Sequence, residues 1–450
     1  MKSNSFKRIF VFLVVLCMTF CFALCASAAE ADASASMTVS ASLKGDTVTA
    51  VVKIDSDAAF RGAQASLSYD SSKLTYVGAT PGLISGTTFH NTGSAVTIVA
   101  ESATDVKSGT LGTITFTVKD GASGKVAFSL GKISVSDPTG SVRIPCTGGS
   151  DTISAFTLAG ANMQLGNNLS MNFFIAPENL DENEDYYAVI TMDYADDRED
   201  YEAIIEEDEW SWYTDGKLHY VTMDMVAAKE MTDEITVTIY NDEDEQVSVE
   251  WVDSVRDYAM RVLDEETDKT KAALYVEMLN YGAAAQEYFD YDESDLANNQ
   301  LTAEQKAYGV GDMTLNSKAA EGTGYVGMNL QLESSILVNF FFNTIPEDHD
   351  DMYAVVTFVD HYGDRQTITV EGEDFGLYSG YWYVSVNKLV VADCSEEVTV
   401  KIYDGNNEEI ADAVDSMENY IGRASDSDED PLYEAIMRFA ISARTYLHNM

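Results

Sequence analysis

Through the first third of the chain, apolar and polar residues alternate in short runs. In GAQASLSYD (62–70), Ala63, Ala65, Leu67 and Tyr69 fall on one side of an extended backbone. Gln64, Ser66 and Ser68 fall on the other. A period of two marks a half-buried strand. The same alternation runs through SMTVSASL, TVTAVVKID, KLTYVGAT, AVTIVAES, GTLGTITFTVKD, GKVAFSL and DTISA, with Gly, Asp and Ser between the runs. Short strands at regular spacing, with no helix-period stretch among them, predict an all-β sandwich over residues 36–155.

Beyond residue 155 the pattern changes and then repeats. NMQLGNNLSMNFFI (162–175) matches NLQLESSILVNFFF (329–342), and DYYAVITMDY (185–194) matches DMYAVVTFVD (351–360). YVTMDMVAAKEMTDEITVTIY (220–240) matches YVSVNKLVVADCSEEVTVKIY (383–403). Near the end of each copy the apolar spacing becomes helical: Leu274, Met278, Tyr281, Ala285 and Tyr288 correspond to Leu432, Ile436, Phe439, Ala443 and Tyr446. Each copy therefore reads as strands followed by a helix pair, with the first pair at about Val252–Asp264 and Thr270–Phe289. Tyr213-Thr214-Asp215-Gly216 and Tyr378-Ser379-Gly380 read as hairpin turns. The fold class is mainly β: an N-terminal jelly-roll β-sandwich, then two duplicated α+β modules at 156–292 and 324–450. A polar linker at 293–323 joins them.

The first residues read differently. Lys2, Lys7 and Arg8 precede an apolar run from Ile9 to about Cys25, and Ala26-Ser27-Ala28 follows as a small-residue cleavage site. Residues 1–29 are thus a secretory signal peptide, and a secreted, extracellular protein without membrane insertion is expected after cleavage. Cys17, Cys21 and Cys25 leave with that segment. Cys146 and Cys394 remain, too few and too distant for a disulfide framework.

Charge separates the modules. The chain carries 75 acidic and 27 basic residues. Residues 30–155 hold 11 acidic and 9 basic residues, a net of −2, whereas residues 156–450 hold 64 and 15, a net of −49. Such a surface repels nucleic acid and anionic lipid.

The order of runs in residues 36–155 resembles the cohesin domain, the nine-stranded jelly-roll receptor of cellulosome scaffolds. Tyr69-Asp70 followed by Leu74 and Pro81-Gly82 is similar to that family's strand-then-turn pattern, as is the Gly109–Lys119 run with its Asp120-Gly121 turn. The resemblance implies capture of a dockerin, a calcium-binding module carried by enzymes of polysaccharide degradation. It implies a contact sheet that includes GAQASLSYD, with Gln64, Ser66 and Ser68 as the partner-binding residues. Cohesins often carry an acidic residue or an amide early in that strand, where this chain has Gly62 and Gln64. Further anchors are expected around Val96 to Glu101. For the repeats, no activity follows from resemblance.

No residues stand out as catalytic or metal-binding. The five histidines form no two-His metal motif, and no GxSxG, P-loop or nucleotide-binding glycine fingerprint is present. Asp348-His349-Asp350-Asp351 and Asp360-His361 read as a solvated turn and a strand end. DGNNEEIADAVD (404–415) lacks EF-hand spacing, so no cofactor is expected beyond loosely bound calcium. Runs such as EEDEW (206–210) and DSDED (426–430) read as solvated surface. All four tryptophans and 23 of the 25 tyrosines lie beyond residue 155, nearly all of them in the repeats. Most of these rings are expected in the core. Trp210 and Trp212, on one face of a strand, are the alternative carbohydrate-binding residues. The expectation is a non-catalytic scaffold that holds a dockerin-bearing protein. Direct polysaccharide binding is the alternative, and a surface adhesin with the sandwich as spacer is a third reading.

Overall fold

The computed structural model describes residues 33–166, 169–213, 216–311, 313–332, 336–424 and 430–449. The expected signal peptide (1–29), Thr214-Asp215 of the first hairpin turn and residues 426–429 of the DSDED run lie outside the described residues. The chain falls into two compact units. One comprises Met1–Leu158, Ala176–Tyr187 and Thr238–Glu250; the other comprises Ala159–Ile175, Ala188–Val237 and Trp251–Met450.

The first unit is built on nine strands: β1 (Ala35–Lys44), β2 (Thr47–Ser68), β3 (Leu74–Pro81), β4 (Thr88–Asn91), β5 (Ala95–Val118), β6 (Lys125–Ser136), β7 (Arg143–Ile144), β8 (Cys146–Gly148) and β9 (Ser150–Ser154). Strands β2 and β5, of 22 and 24 residues, each merge two of the runs read as separate strands. The first half of β2 pairs with β1 and with residues 109–117 of β5. Its second half pairs with residues 95–101 of β5 and with β6. Register shifts between Asp55 and Gly62 mark the bend. Bulges turn strands in this way, so two strands, β2 and β5, run on across the bend without a loop. Phe60 at the bend, Phe116 and Phe128 are fully buried, and Phe116 packs on Tyr69 with ring centroids 4.6 Å apart.

The composition boundary near 155 is not the structural one. Two loops of the first repeat pack on the sandwich. Gly124 N donates to Asn179 at 2.8 Å, and Lys125 Nζ lies 2.9 Å from Asp181. Gly45 N donates to Gln246 Oε1 at 3.0 Å, and Gln246 Nε2 donates back to Gly45 O at 2.9 Å. The β1–β2 and β5–β6 turns are thus tied to the repeat rather than free.

The first repeat contains β10 (Gly160–Leu165), β11 (Leu169–Ile175), β12 (Tyr186–Asp193), β13 (Tyr201–Glu206), β14 (Ser211–Tyr213), β15 (Leu218–Val226), β16 (Glu234–Asn241) and β17 (Trp251–Asp253). Helices α1 (Val255–Glu265) and α2 (Lys269–Tyr288) follow, then the short α3 (Ala303–Lys306). The second repeat contains β18 (Tyr325–Leu332), β19 (Ile336–Phe342), β20 (Tyr353–Val359), β21 (Arg365–Glu371), β22 (Gly376–Tyr378), β23 (Tyr381–Val386), β24 (Val398–Tyr403) and β25 (Glu409–Asp415), then α4 (Met417–Ala424) and α5 (Asp430–Asn449). Each copy forms two four-stranded sheets, β10-β11-β15-β14 with β13-β12-β16-β17 and β18-β19-β23-β22 with β21-β20-β24-β25. The β22–β23 turn is the hairpin read from the sequence: Ser379 and Gly380 have φ of 51° and 85°, as a two-residue turn with two positive φ values requires.

The copies share polar groups as well as an apolar pattern, and these groups serve the fold. Asn172 donates to Asn162 at 2.9 Å and accepts from Thr222 at 2.7 Å; Asn339 donates to Asn329 at 2.9 Å and accepts from Ser385 at 2.6 Å. Asp253 pairs with Arg261, and Asp415 with Arg423. The next residues, Ser254 and Ser416, accept from Asp257 N and Asn419 N, which satisfies orphan amides where α1 and α4 begin. The helix predicted from Val252 therefore starts only after this cap.

The segment read as a linker is a packed strap. Ala297 is fully buried. Gln286 of α2 accepts from Ala297 N at 2.7 Å, and Glu277 of α2 accepts from Val310 N at 2.5 Å. Further along, Asn316 N donates to Glu418 of α4 at 3.0 Å, and Arg438 of α5 donates to the carbonyls of Val310 and Gly311.

Candidate partner-binding face

The second half of β2 and the first half of β5 lie in a sheet with β4, β6 and β9. As the alternation predicts, Ala63, Ala65, Leu67 and Tyr69 are buried, and Val96, Ile98 and Ala100 of β5 join them. The opposite face is read from the register. Thr88, Val99, Gln64 and Ser134 form one row across β4-β5-β2-β6. His90, Thr97, Ser66 and Gly131 form the next. Ala95, Ser68, Ser129 and Ser150 form a third, ending on β9. Glu101, Gly62 and Ser136 close the other end.

Gln64 and Ser68 are exposed. Ser66 is not: it points to this face but is only 8% exposed, walled in by strands on both sides. It forms the floor of the face rather than a contact tip. Gly62 is set by close approach, since a Cβ there would lie 2.5 Å from Ser136 Oγ. Between Gly131 and Ser134, β6 carries one more residue than β2 does between Ser66 and Gln64. Lys132, at φ 49°, occupies this bulge and is exposed beside the rows. The rows hold one carboxylate, Glu101, and neither Lys nor Arg. The rest are hydroxyls, one amide (Gln64), one imidazole (His90) and small apolar groups on the sheet. Thr97, Val99 and Glu101 are the outward members of the Val96–Glu101 run.

Trp210 and Trp212 do not form a ring platform. Trp210 ends a 3-10 turn and is buried, with Nε1 donating to Ile205 O at 3.1 Å. Trp212 is 55% exposed. Both pack on His219, with centroids at 5.8 and 3.7 Å. Burial lowers the His219 pKa, and its Nδ1 is buried without a hydrogen-bond partner, which favours the neutral ring. His349, read as part of a solvated turn, is buried in the second copy. Its ring packs 3.9 Å from Trp382 and stacks on Phe375. His361 is also buried and bonds Asp393 at 2.7 Å. Cys146 and Cys394 are free thiols. Among the described residues, no three His, Cys, Asp or Glu side chains cluster as metal ligands.

Residues 35–154 match the family model described as the cohesin domain. A type I cohesin–dockerin complex from Clostridium thermocellum contains a chain 20% identical, with a TM-score of 0.24 over 28% of this chain and 97% of that one. A non-cellulosomal cohesin from the hyperthermophilic archaeon Archaeoglobus fulgidus is 18% identical, with a TM-score of 0.23 over 26% of this chain and 88% of that one. A cohesin module of a family 33 glycoside hydrolase from Clostridium perfringens is 15% identical, with a TM-score of 0.24 over 26% and 94%. No curated protein matches the chain. The cohesin resemblance read from the strand order is thereby shown for residues 35–154; the two repeats lie outside it.

Proposed function

We propose that the sandwich holds a dockerin-bearing protein on the β4-β5-β2-β6 face. The chain then acts as a secreted, non-catalytic scaffold in polysaccharide degradation. The observation that carries this reading is the family match over residues 35–154, the span that includes this face. The face itself supports it: strands fixed on both sides present Gln64, Ser68, Thr97 and Val99 with little charge to desolvate. Cohesin domains are binding modules without catalytic activity, and the repeats add no recognised catalytic set. Secretion rests on the basic start, apolar run and Ala-Ser-Ala site of residues 1–29.

Titration calorimetry of the chain against dockerins from the same secretome tests the reading. Saturable binding that chelation abolishes and calcium restores is expected, because the partner's fold needs the ion. Failure of every such dockerin to bind overturns the reading and returns the sandwich to a glycan-binding or spacer role. N-terminal sequencing of exported material is expected to begin after Ala28 or Ala29; a protein still beginning at Met1 overturns the extracellular setting.

A further inference from the structure

The two repeats share an aromatic cluster, with Tyr213 and Tyr378 exposed, that the dockerin reading does not use. In the second copy, Phe340, Phe342 and Val384 point into the core. The other side of the same sheet carries Phe341, Tyr378 and Tyr383. Phe341 lies 5.2 Å from Tyr383 and 6.2 Å from Tyr378 between ring centroids. In the first copy, Phe174, Tyr213 and Tyr220 occupy the matching positions, with Phe174 4.7 Å from Tyr213 and 6.0 Å from Tyr220. Tyr213 is 42% and Tyr378 63% exposed, so neither ring is held in place by core packing.

Two further features shape this surface. Gly160 and Gly327 pair in register with Phe174 and Phe341. A Cβ on either glycine would meet nothing within 4 Å, so the strand is open at that position; Phe174 itself is only 7% exposed and forms the floor of its surface, whereas Phe341 is half-buried. At Gly376 a Cβ would fall 2.0 Å from Tyr383 Cζ; the tyrosine ring lies across that glycine. In the adjacent row of each copy Asn172 and Asn339 are buried in the hydrogen-bonded set already described, and the outer amides, Asn162 and Asn329, are the partly exposed ones.

The shared placement is selective. Other positions on the same strands have diverged: Trp212 pairs with His219 where the second copy has Leu377 with Trp382. The aromatic trio and the amide row persist.

From this paired arrangement of an exposed tyrosine, its aromatic neighbours and an amide row, we infer that each repeat carries a binding platform for a neutral polysaccharide. Flat rings offer apolar faces to sugar C–H groups, while phenol hydroxyls and amides match sugar hydroxyls. Charge selects within that class. These rings and amides are uncharged, in a segment whose net charge is −49. The surrounding field repels uronic-acid polymers and nucleic acid, whereas a neutral chain pays no such penalty. A basic protein would be drawn to the acidic loops instead. Two platforms on one chain also give avidity for a polymer.

Affinity electrophoresis of the full chain tests this. The gels contain mixed-linkage β-glucan, arabinoxylan or galactomannan, with polygalacturonate as the anionic comparison. Retardation by at least one neutral polymer, and none by polygalacturonate, is expected. Alanine at Tyr213, Tyr220, Tyr378 and Tyr383 together should weaken it at least tenfold, equivalent to about 1.4 kcal/mol. A second variant, Tyr213→Ala with Gly327→Leu, removes one exposed ring and covers another through an open position; it should also weaken retardation. This second variant decides the matter if the fourfold variant does not fold. Chelation should have no effect, which separates this binding from dockerin capture. Absence of retardation by all three neutral polymers overturns the proposal. So does unchanged retardation of the folded variants, or equal retardation by polygalacturonate.

Discussion

Tyr281 of α2 and Phe439 of α5 stack with ring centroids 6.0 Å apart and planes 23° from parallel. They are equivalent positions of the two copies, so the duplicated helices meet through the same surface. Tyr281 is 6% exposed, as is Phe439. Cutting either ring to alanine leaves a cavity and should cost about 3–5 kcal/mol in denaturant unfolding. The double variant should lose less than the sum, by about 0.5–1.5 kcal/mol, because the ring pair is counted once. Strict additivity would show that the rings do not interact.

The carboxylates of Asp253 and Asp415 are fully buried, but their arginines are not equally so. The Arg261 side chain is 54% exposed and that of Arg423 29%. Removing an arginine strands a buried charge, typically at about 3–5 kcal/mol. Arg423→Ala should therefore destabilise more than Arg261→Ala, since water already screens the latter pair. Urea unfolding of the two variants checks the order.

Asp233 is held at about 7, well above its ordinary 3.8, first by burial and then by the neighbouring Glu230 carboxylate. The Tyr291 hydroxyl, donating at 2.5 Å, and Arg198 oppose this. Between about 4 and 7 the folded chain keeps a proton that the unfolded chain has released. This group's contribution is thus largest below about 4 and is lost as pH rises through 7, at most about 1.4 kcal/mol per unit. Asp233→Asn should remove that component. The stability difference between variant and parent, measured from pH 5 to 8, should rise in favour of the variant; a flat difference rejects the assignment.

On the proposed partner face, position and side separate binding from stability. Leu67→Ala should cost about 2–5 kcal/mol of stability, because Leu67 is fully buried. Ser68→Arg should leave the melting temperature nearly unchanged and abolish dockerin binding. Ser66→Arg is expected to act differently, since Ser66 is nearly covered and a long side chain there must also disturb Thr97 and its strand. Dockerin binding unaffected by Ser68→Arg would place the contact on another face.

The repeats concentrate carboxylates that repel one another. Lowering ionic strength lengthens the range of that repulsion, from about 8 Å at physiological salt to about 30 Å at 0.01 M. Their melting temperature should fall in low salt and recover with millimolar calcium, which neutralises clustered carboxylates without a dedicated site. Insensitivity to both would mean that the charges are already dispersed in solvent.

The sequence by itself determined the elements and their faces. Alternation placed Ala65 and Leu67 inside and Gln64 and Ser68 outside, because a strand's side chains must alternate. The duplication was equally legible, down to the helix stripe carrying Tyr281 and Phe439. The sequence did not determine how these elements combine. Whether TVTAVVKID and GAQASLSYD are two strands or one bent strand depends on bulges set by partner strands, and local alternation is the same in both cases. The burial of Ser66, Trp210 and His349 comes from neighbours distant in sequence. A serine, a tryptophan after an acidic run and a histidine among aspartates carry no local mark of that burial. The strap at 293–323 looked like a linker because its polar groups satisfy α2, α4 and α5 across the fold rather than one another. The aromatic platforms likewise exist only once sheet pairing sets Phe341 beside Tyr383 and leaves the space at Gly327 open.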